Sequence, residues 1–248
     1  MINVKKLKWS LLPLIKSTFL LFGRSWNDFY AWMLDYQDRK VTIADILSKT
    51  NNTAKYKGLW DWEQGQFFYD FIKSQGYVDS QKIFDIGCGY GRLAIPVLRN
   101  QSDGGAYIGS ELSAQRMKLA RDWIELEGLT NKNFELILSK GLNLDFLNDN
   151  SIDCFTAFSV FNHMPDKEFS VLASEIIKKL KIGGIGFCHM VVDENYVYKG
   201  VEAFPRSEKD IISVFETIGF SVSVIEDYKI SKLQNSNYVR MFKVTKTG

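Results

Sequence analysis

The chain has little cysteine, proline or histidine: three, four and two residues among 248. An odd number of cysteines cannot all pair. Cys88, Cys154 and Cys188 stand far apart in apolar runs without a C-x-x-C step, so they read as buried thiols rather than a disulfide framework, a zinc site or a redox motif. No metal site is expected. Long apolar runs are also missing from the opening segment, where Trp9 to Ile15 and Ser17 to Gly23 are split by Lys16. A membrane span needs about 20 apolar residues, so none is expected. The same interruption, and the Phe-Gly-Arg-Ser-Trp stretch at 22–26, argue against a signal peptide. These absences lead us to expect a cytoplasmic protein, at most peripheral to a membrane.

What is present is ordinary for a soluble domain: 46% hydrophobic and 24% charged residues, which excludes disorder and a collagen-like fold. The net charge of +2 conceals an asymmetry. Residues 1–60 carry ten basic and four acidic side chains, whereas the remaining 188 carry 21 and 25. Lys5, Lys6, Lys8, Lys16 and Arg24 have no acid among them over residues 1–24, a bias suited to an anionic contact. Within this basic arm, Leu12, Ile15, Phe19, Phe22, Trp26, Phe29 and Met33 recur at steps of three and four. That spacing predicts an apolar stripe on a helix, interrupted at Gly23. Two uses are open for the arm: packing on its own domain or on a second copy as a homodimer, or attachment to a membrane surface.

From residue 82 onward, β-branched and aromatic runs alternate with helical patterns, which predicts an α/β class with a mostly parallel sheet. Strands are expected near 82–86, 106–110, 134–138, 154–160, 185–192, 220–225 and 238–244. Helices are expected near 91–100, 114–128, 166–181 and 208–218, with Ser113 and Ser207 as caps and Gly183 and Gly184 ending the third. The last two strands are separated by too few residues for a helical crossover, so they should pair antiparallel. We divide the chain into a helical arm, 1–60, and a catalytic domain, 61–248. No repeat or low-complexity linker separates them.

The stretch KIFDIGCGYGRLAIP, Lys82 to Pro96, runs from an apolar strand through three glycines into a helix. Such a turn lets a ligand approach the backbone and meet free N–H groups. Glu111 follows 20 residues after Gly91, where an acid can accept ribose hydroxyls. A dinucleotide fingerprint would need glycine at 92, where Arg92 stands, so a nicotinamide-dependent oxidoreductase is disfavoured. A tight turn with no ligand is the remaining plain reading of the glycines.

Asp85, Gly87, Gly89 and Gly91 form D-x-G-x-G-x-G, and with Glu111 they resemble class I S-adenosylmethionine-dependent methyltransferases. The resemblance covers roughly residues 65–192. It is strongest to bacterial members reading IGCGYGRLAIP in the first motif and SVF-x-HM after the fourth strand, here Ser159 to Met164. It implies a Rossmann-like seven-stranded sheet of order 3-2-1-4-5-7-6, with S-adenosylmethionine across the carboxyl ends of the first two strands. It also implies a cofactor set of Asp85, Gly87, Cys88, Gly89, Gly91, Arg92, Glu111, Leu112, Gly141, Leu142 and Ser159, with Asp85 holding the methionine end, Glu111 the ribose, and Leu112 and Leu142 the adenine faces. Lys140 stands where many members place an adenine-binding Asp.

His163, just beyond the fourth strand, is the candidate general base and Asn162 a second lining candidate, whereas His189 reads as a packed core residue. Asp153 begins the fourth strand and belongs to the opposite edge. Neither an Asn-Pro-Pro-Tyr type motif nor a Pro-Cys pair is present, which makes nucleic acid an unlikely acceptor. By resemblance the acceptor is a small molecule or glycan, methylated on a hydroxyl oxygen. A non-catalytic S-adenosylmethionine-binding partner is the alternative, with a lipid or nucleic-acid methyltransferase behind it. The aromatics at 60–71 and the loop Asp193 to Arg206 are expected to cover the acceptor pocket.

Overall fold

The computed structural model describes residues 12–47, 62–192, 204–225 and 239–248. The expectations for Lys5, Lys6, Lys8, Trp60 and residues 193–203 lie outside the described residues.

Seven strands form one sheet: β1 (Lys82–Ile86), β2 (Ala106–Glu111), β3 (Phe134–Leu138), β4 (Ile152–Phe158), β5 (Leu180–Val191), β6 (Phe220–Ile225) and β7 (Val239–Lys246). Their order is 3-2-1-4-5-7-6. The β3–β2–β1–β4–β5 pairs are parallel, and β7 runs antiparallel to both β5 and β6. Ahead of the sheet lie α1 (Leu12–Leu21), α2 (Trp26–Asp38), α3 (Ile43–Leu47) and α4 (Trp62–Ser74). Its crossovers are α5 (Ala94–Asn100), α6 (Ala114–Leu126), α7 (Asp166–Lys179) and α8 (Glu208–Thr217).

Alternation along each strand divides the core into two layers. Ile83 and Tyr107 join Ile72, Tyr77 and Leu98 on one side, while Phe84 and Ile108 join Phe155, Phe169 and Phe215 on the other. Burial on both faces is what a parallel strand between helices requires. Gly186 admits one of the large rings, because a Cβ there would meet Phe155 Cε1 at 2.0 Å.

Ser113 and Ser207 cap α6 and α8 as the sequence predicts, accepting hydrogen bonds from the Arg116 and Asp210 amides. Gly183 and Gly184 do not end a helix. α7 already stops at Lys179 and the chain passes directly into β5, where Leu180 faces Ile152 and Ile185 faces Cys154, so the glycines sit in a bulge of three extra residues. The amides of Asn150 and Ser151 take the Lys178 and Lys179 carbonyls, which holds the helix end in place. β4 ends at Phe158, two residues earlier than expected, because Ser159 turns to φ +61°.

The arm forms a helical hairpin. Gly23, at φ +70°, breaks the stripe between α1 and α2, and Ser25 with Asp28 makes a capping box for α2. Phe19 of α1 folds back onto Phe29 and Trp32 of α2, at centroid distances of 5.8 and 5.6 Å.

Candidate cofactor and acceptor site

β1 delivers the chain into Gly87 at φ +67°, where a Cβ would meet Val160 Cγ2 at 2.6 Å. Conformation and space both restrict this position to glycine. The turn brings the Gly89 amide to Glu111 at the end of β2, with N to Oε2 at 3.0 Å. Oε1 accepts the Leu112 and Ser113 amides at 2.8 and 2.9 Å. Three of the carboxylate's roughly four acceptor positions are therefore engaged, leaving Oε2 able to accept from a ligand hydroxyl.

Asp85 lies beneath the turn and does not line the cavity. The Tyr107 hydroxyl and Thr156 Oγ1 donate to its two oxygens at 2.7 and 2.8 Å. Burial pushes its carboxyl up to about 6; these two hydrogen bonds and the Arg92 charge oppose the rise.

Above the turn is a cavity of about 380 Å³. Gly87, Cys88, Gly89, Arg92, Glu111, Leu112, Gly141, Ser159 and His163 line it, so the structure brings nine of the expected residues together. Asp85, Gly91, Leu142 and Asn162 are not among its lining residues. Gly91 instead brings the turn against α6, where a Cβ would stand 3.3 Å from that of Ala120, and Leu142 packs against the core. Asn162 is buried, with its carboxamide oxygen accepting the Val191 amide at 2.8 Å and its carbonyl accepting the Phe204 amide at 2.8 Å. Asp153 accepts from Lys82 and Lys181 at the far edge of the sheet.

Two histidines face the cavity. The His163 ring stacks on Tyr30 at 5.4 Å, and its carbonyl accepts the Trp26 indole N–H at 2.8 Å. His189 is also at the wall. Its Nδ1 lies 2.8 Å from Ser159 Oγ, and burial, with a smaller push from the Arg92 charge, lowers its pKa to about 4. The imidazole is neutral near pH 7. Ser159 holds this contact from a left-handed backbone conformation, a form of strain that recurs at functional sites. Arg92 donates in turn to Gln64 of α4, and Phe68 stacks on Phe158 at 4.0 Å.

The sequence reading missed the wall supplied by α2. Asn27, Tyr30 and Leu34 line the cavity, one residue round the helix from the buried stripe at 26, 29 and 33. Their own spacing of three and four was the available signal. α2 is fastened to the site at two points: Asp35 accepts from the Ser113 hydroxyl at 2.5 Å, and Asp38 accepts from Tyr90 and Arg116 at 2.6 and 2.7 Å. At the described end of the expected covering loop, Phe204 meets Trp26 edge-on at 5.4 Å, and Arg206 donates to the Phe161 and Met164 carbonyls.

Residues 83–184 match a family model described as a methyltransferase domain. A probable fatty acid methyltransferase of Pseudomonas putida is 27% identical over 182 residues, covering 72% of this chain; the match spans 43% of that relative's length. Magnesium protoporphyrin IX methyltransferase from Synechocystis PCC 6803, solved with bound S-adenosylmethionine, superposes with a TM-score of 0.65 at 15% identity, over 88% of this chain and 97% of its own. An S-adenosylmethionine-dependent methyltransferase from Methanosarcina mazei gives 0.57 at 19% identity, over 71% and 97%. These likenesses agree with the strand order and with the glycine turn facing Glu111. The chain has the fold of the class I S-adenosylmethionine-dependent methyltransferases, and its residues 83–184 match the methyltransferase domain.

Proposed function

We propose that the protein moves the methyl group of S-adenosylmethionine to a hydroxyl oxygen of a small-molecule or glycan acceptor. The observation that carries this reading is one continuous cavity lined by Glu111 and the glycine turn together with two histidines. The donor set suits an adenosyl group: a carboxylate with an acceptor position left, backbone free of side chains at Gly87 and Gly89, and Leu112 at the wall.

When bound, S-adenosylmethionine supplies a methyl group already activated by a sulfonium. The protein's part is then to align an acceptor oxygen, exclude water and take up a proton. Glu111 fixes the ribose, and Phe68, Phe158 and Tyr30 close the wall with apolar surface. The His163 imidazole would take up the acceptor's hydroxyl proton at a ring nitrogen. His189, held neutral, orients the acceptor through its pair with Ser159 rather than taking the proton.

Incubation with methyl-labelled S-adenosylmethionine and a panel of hydroxylated small molecules and glycans tests the reading, with products identified by mass spectrometry. The panel includes fatty acids because of the Pseudomonas relative. Label transferred to an oxygen supports it. Saturable binding of the labelled compound with no label on any acceptor would favour a non-catalytic binder.

A further inference from the structure

Two asparagines are buried in this chain, and among the described residues the carboxamide of only one is hydrogen-bonded. That of Asn162 accepts the Val191 amide at 2.8 Å. Asn27 of α2 is 5% exposed and lines the cavity, yet its carboxamide makes no hydrogen bond to any described residue. An amide left unpaired in a protein interior costs stability, so such groups are nearly always satisfied. For a carboxamide on a cavity wall, the place for a partner is the cavity. Its position along α2 follows from its neighbours. Trp26 bonds to the His163 carbonyl at 2.8 Å, and Tyr30, one turn along the face that carries Asn27, stacks on the His163 ring. Asp35, eight residues on and so about 12 Å farther along the axis, accepts from Ser113, whose amide donates to Glu111. α2 therefore passes from the residues that follow β4 to those that follow β2, and Asn27 stands on the His163 side.

We infer that Asn27 is a specificity-determining residue whose carboxamide binds a second, unmethylated hydroxyl of the acceptor, so that the substrate is a diol or polyol rather than a chain with one polar group. The inference rests on the proposed reading of the His163 side as the acceptor's place, and deepens it. A carboxamide presents an N–H donor and a carbonyl acceptor on neighbouring atoms, and a hydroxyl both accepts and donates, so the two match in full. A carboxylate only accepts and would set its charge against Asn27 Oδ1, while an ammonium only donates and would leave the Asn27 N–H groups unpaired. A site built to bond a hydroxyl also rejects the analogue that lacks it, because the buried polar group then stays unpaired.

The test is ligand-observed NMR titration of the full chain with cis-1,2-cyclohexanediol, cis-1,3-cyclohexanediol, methyl glucopyranoside and, as the single-hydroxyl control, cyclohexanol. S-Adenosylhomocysteine is present, so binding is read without turnover. At least one polyhydroxylated probe should bind about tenfold more tightly than cyclohexanol. Asn27→Leu, of similar size, should abolish that preference, and Asn27→Ala should do the same. The Kd for S-adenosylmethionine should stay within about threefold of the parent's in both. The thermal unfolding midpoint of Asn27→Leu should be at or above the parent's, since no hydrogen bond is lost and an unpaired amide is removed. No preference in the parent, or a preference kept by both variants, would overturn the inference. So would a lowered midpoint in both variants, which marks a structural bond, or a cofactor Kd weakened as much as the polyol Kd, which marks a cofactor contact. A protein that shows the preference but transfers no methyl group would fail the proposed activity alone.

Discussion

The backbone amide of Gly89 donates to Oε2 of Glu111 across 3.0 Å, joining the glycine turn to the end of the neighbouring strand. One carboxylate thus shapes the turn and presents an acceptor to the cavity. Glu111→Gln should leave the chain folded while weakening S-adenosylmethionine binding by about 2 kcal/mol, roughly thirtyfold in Kd, from the loss of charge-assisted hydrogen bonds. Isothermal titration measures this, and an unchanged Kd would remove Glu111 from the site.

His163 and His189 separate by kinetics. His163→Ala should lower kcat about 10²- to 10⁴-fold with the cofactor Kd little changed, the range for loss of a proton acceptor. His189→Gln should act mainly on the acceptor KM, because the role proposed for it is orientation. If the pH–rate profile of His163→Ala keeps the parent's shape and kcat within about threefold, the proton is taken elsewhere.

Asp85 gives stability an unusual pH dependence for an acid. Its folded pKa of about 6 exceeds the ordinary 3.8, so between these values the folded chain binds more protons than the unfolded one. Its contribution is fully present below about 4 and is lost as pH rises through 6, amounting to about 3 kcal/mol. His189, with its pKa lowered to about 4, has the opposite slope: its contribution is complete above its ordinary 6.5 and lost as pH falls toward 4. Comparing parent with Asp85→Asn by urea unfolding at pH 4 and 7 cancels the histidine. The difference between the two proteins should change with pH by this amount; parallel curves would contradict it.

Buried Asp38 pairs with partly buried Arg116 at 2.7 Å, with Tyr90 on the same carboxylate oxygen. Removing one partner strands the other, so Asp38→Ala should cost about 3 to 5 kcal/mol and lower the unfolding midpoint by several degrees. Asp38→Ala with Arg116→Met should recover part of that loss. A single variant as stable as the parent would show that α2 is not secured there.

The strand order followed only from the family resemblance that the glycines and Glu111 carry, whereas the strands and the glycine site were legible because they depend on local pattern: an apolar run, glycines at fixed steps and an acid at the next strand's end. Ser113 and Ser207 were readable as caps for the same reason. The cavity's other residues were not, because their roles arise from distant contacts. Nothing local to His189 shows that Ser159 lies 2.8 Å away, and nothing in Asp38 shows that it faces Tyr90 across 52 positions. The end of α7 was misplaced because the double glycine, usually a helix stop, serves here as the bulge that lengthens β5.

The hold of α2 on Tyr90, Ser113 and Arg116 has a consequence for the limits of the working unit. A protein trimmed to the segment matching the domain model would retain every motif glycine and Glu111. It would nonetheless lose Asn27, Tyr30 and Leu34 from the cavity wall and leave Arg116 without Asp38. Motif content and functional extent diverge in this chain, and the residues that complete the vessel are encoded before the motif begins.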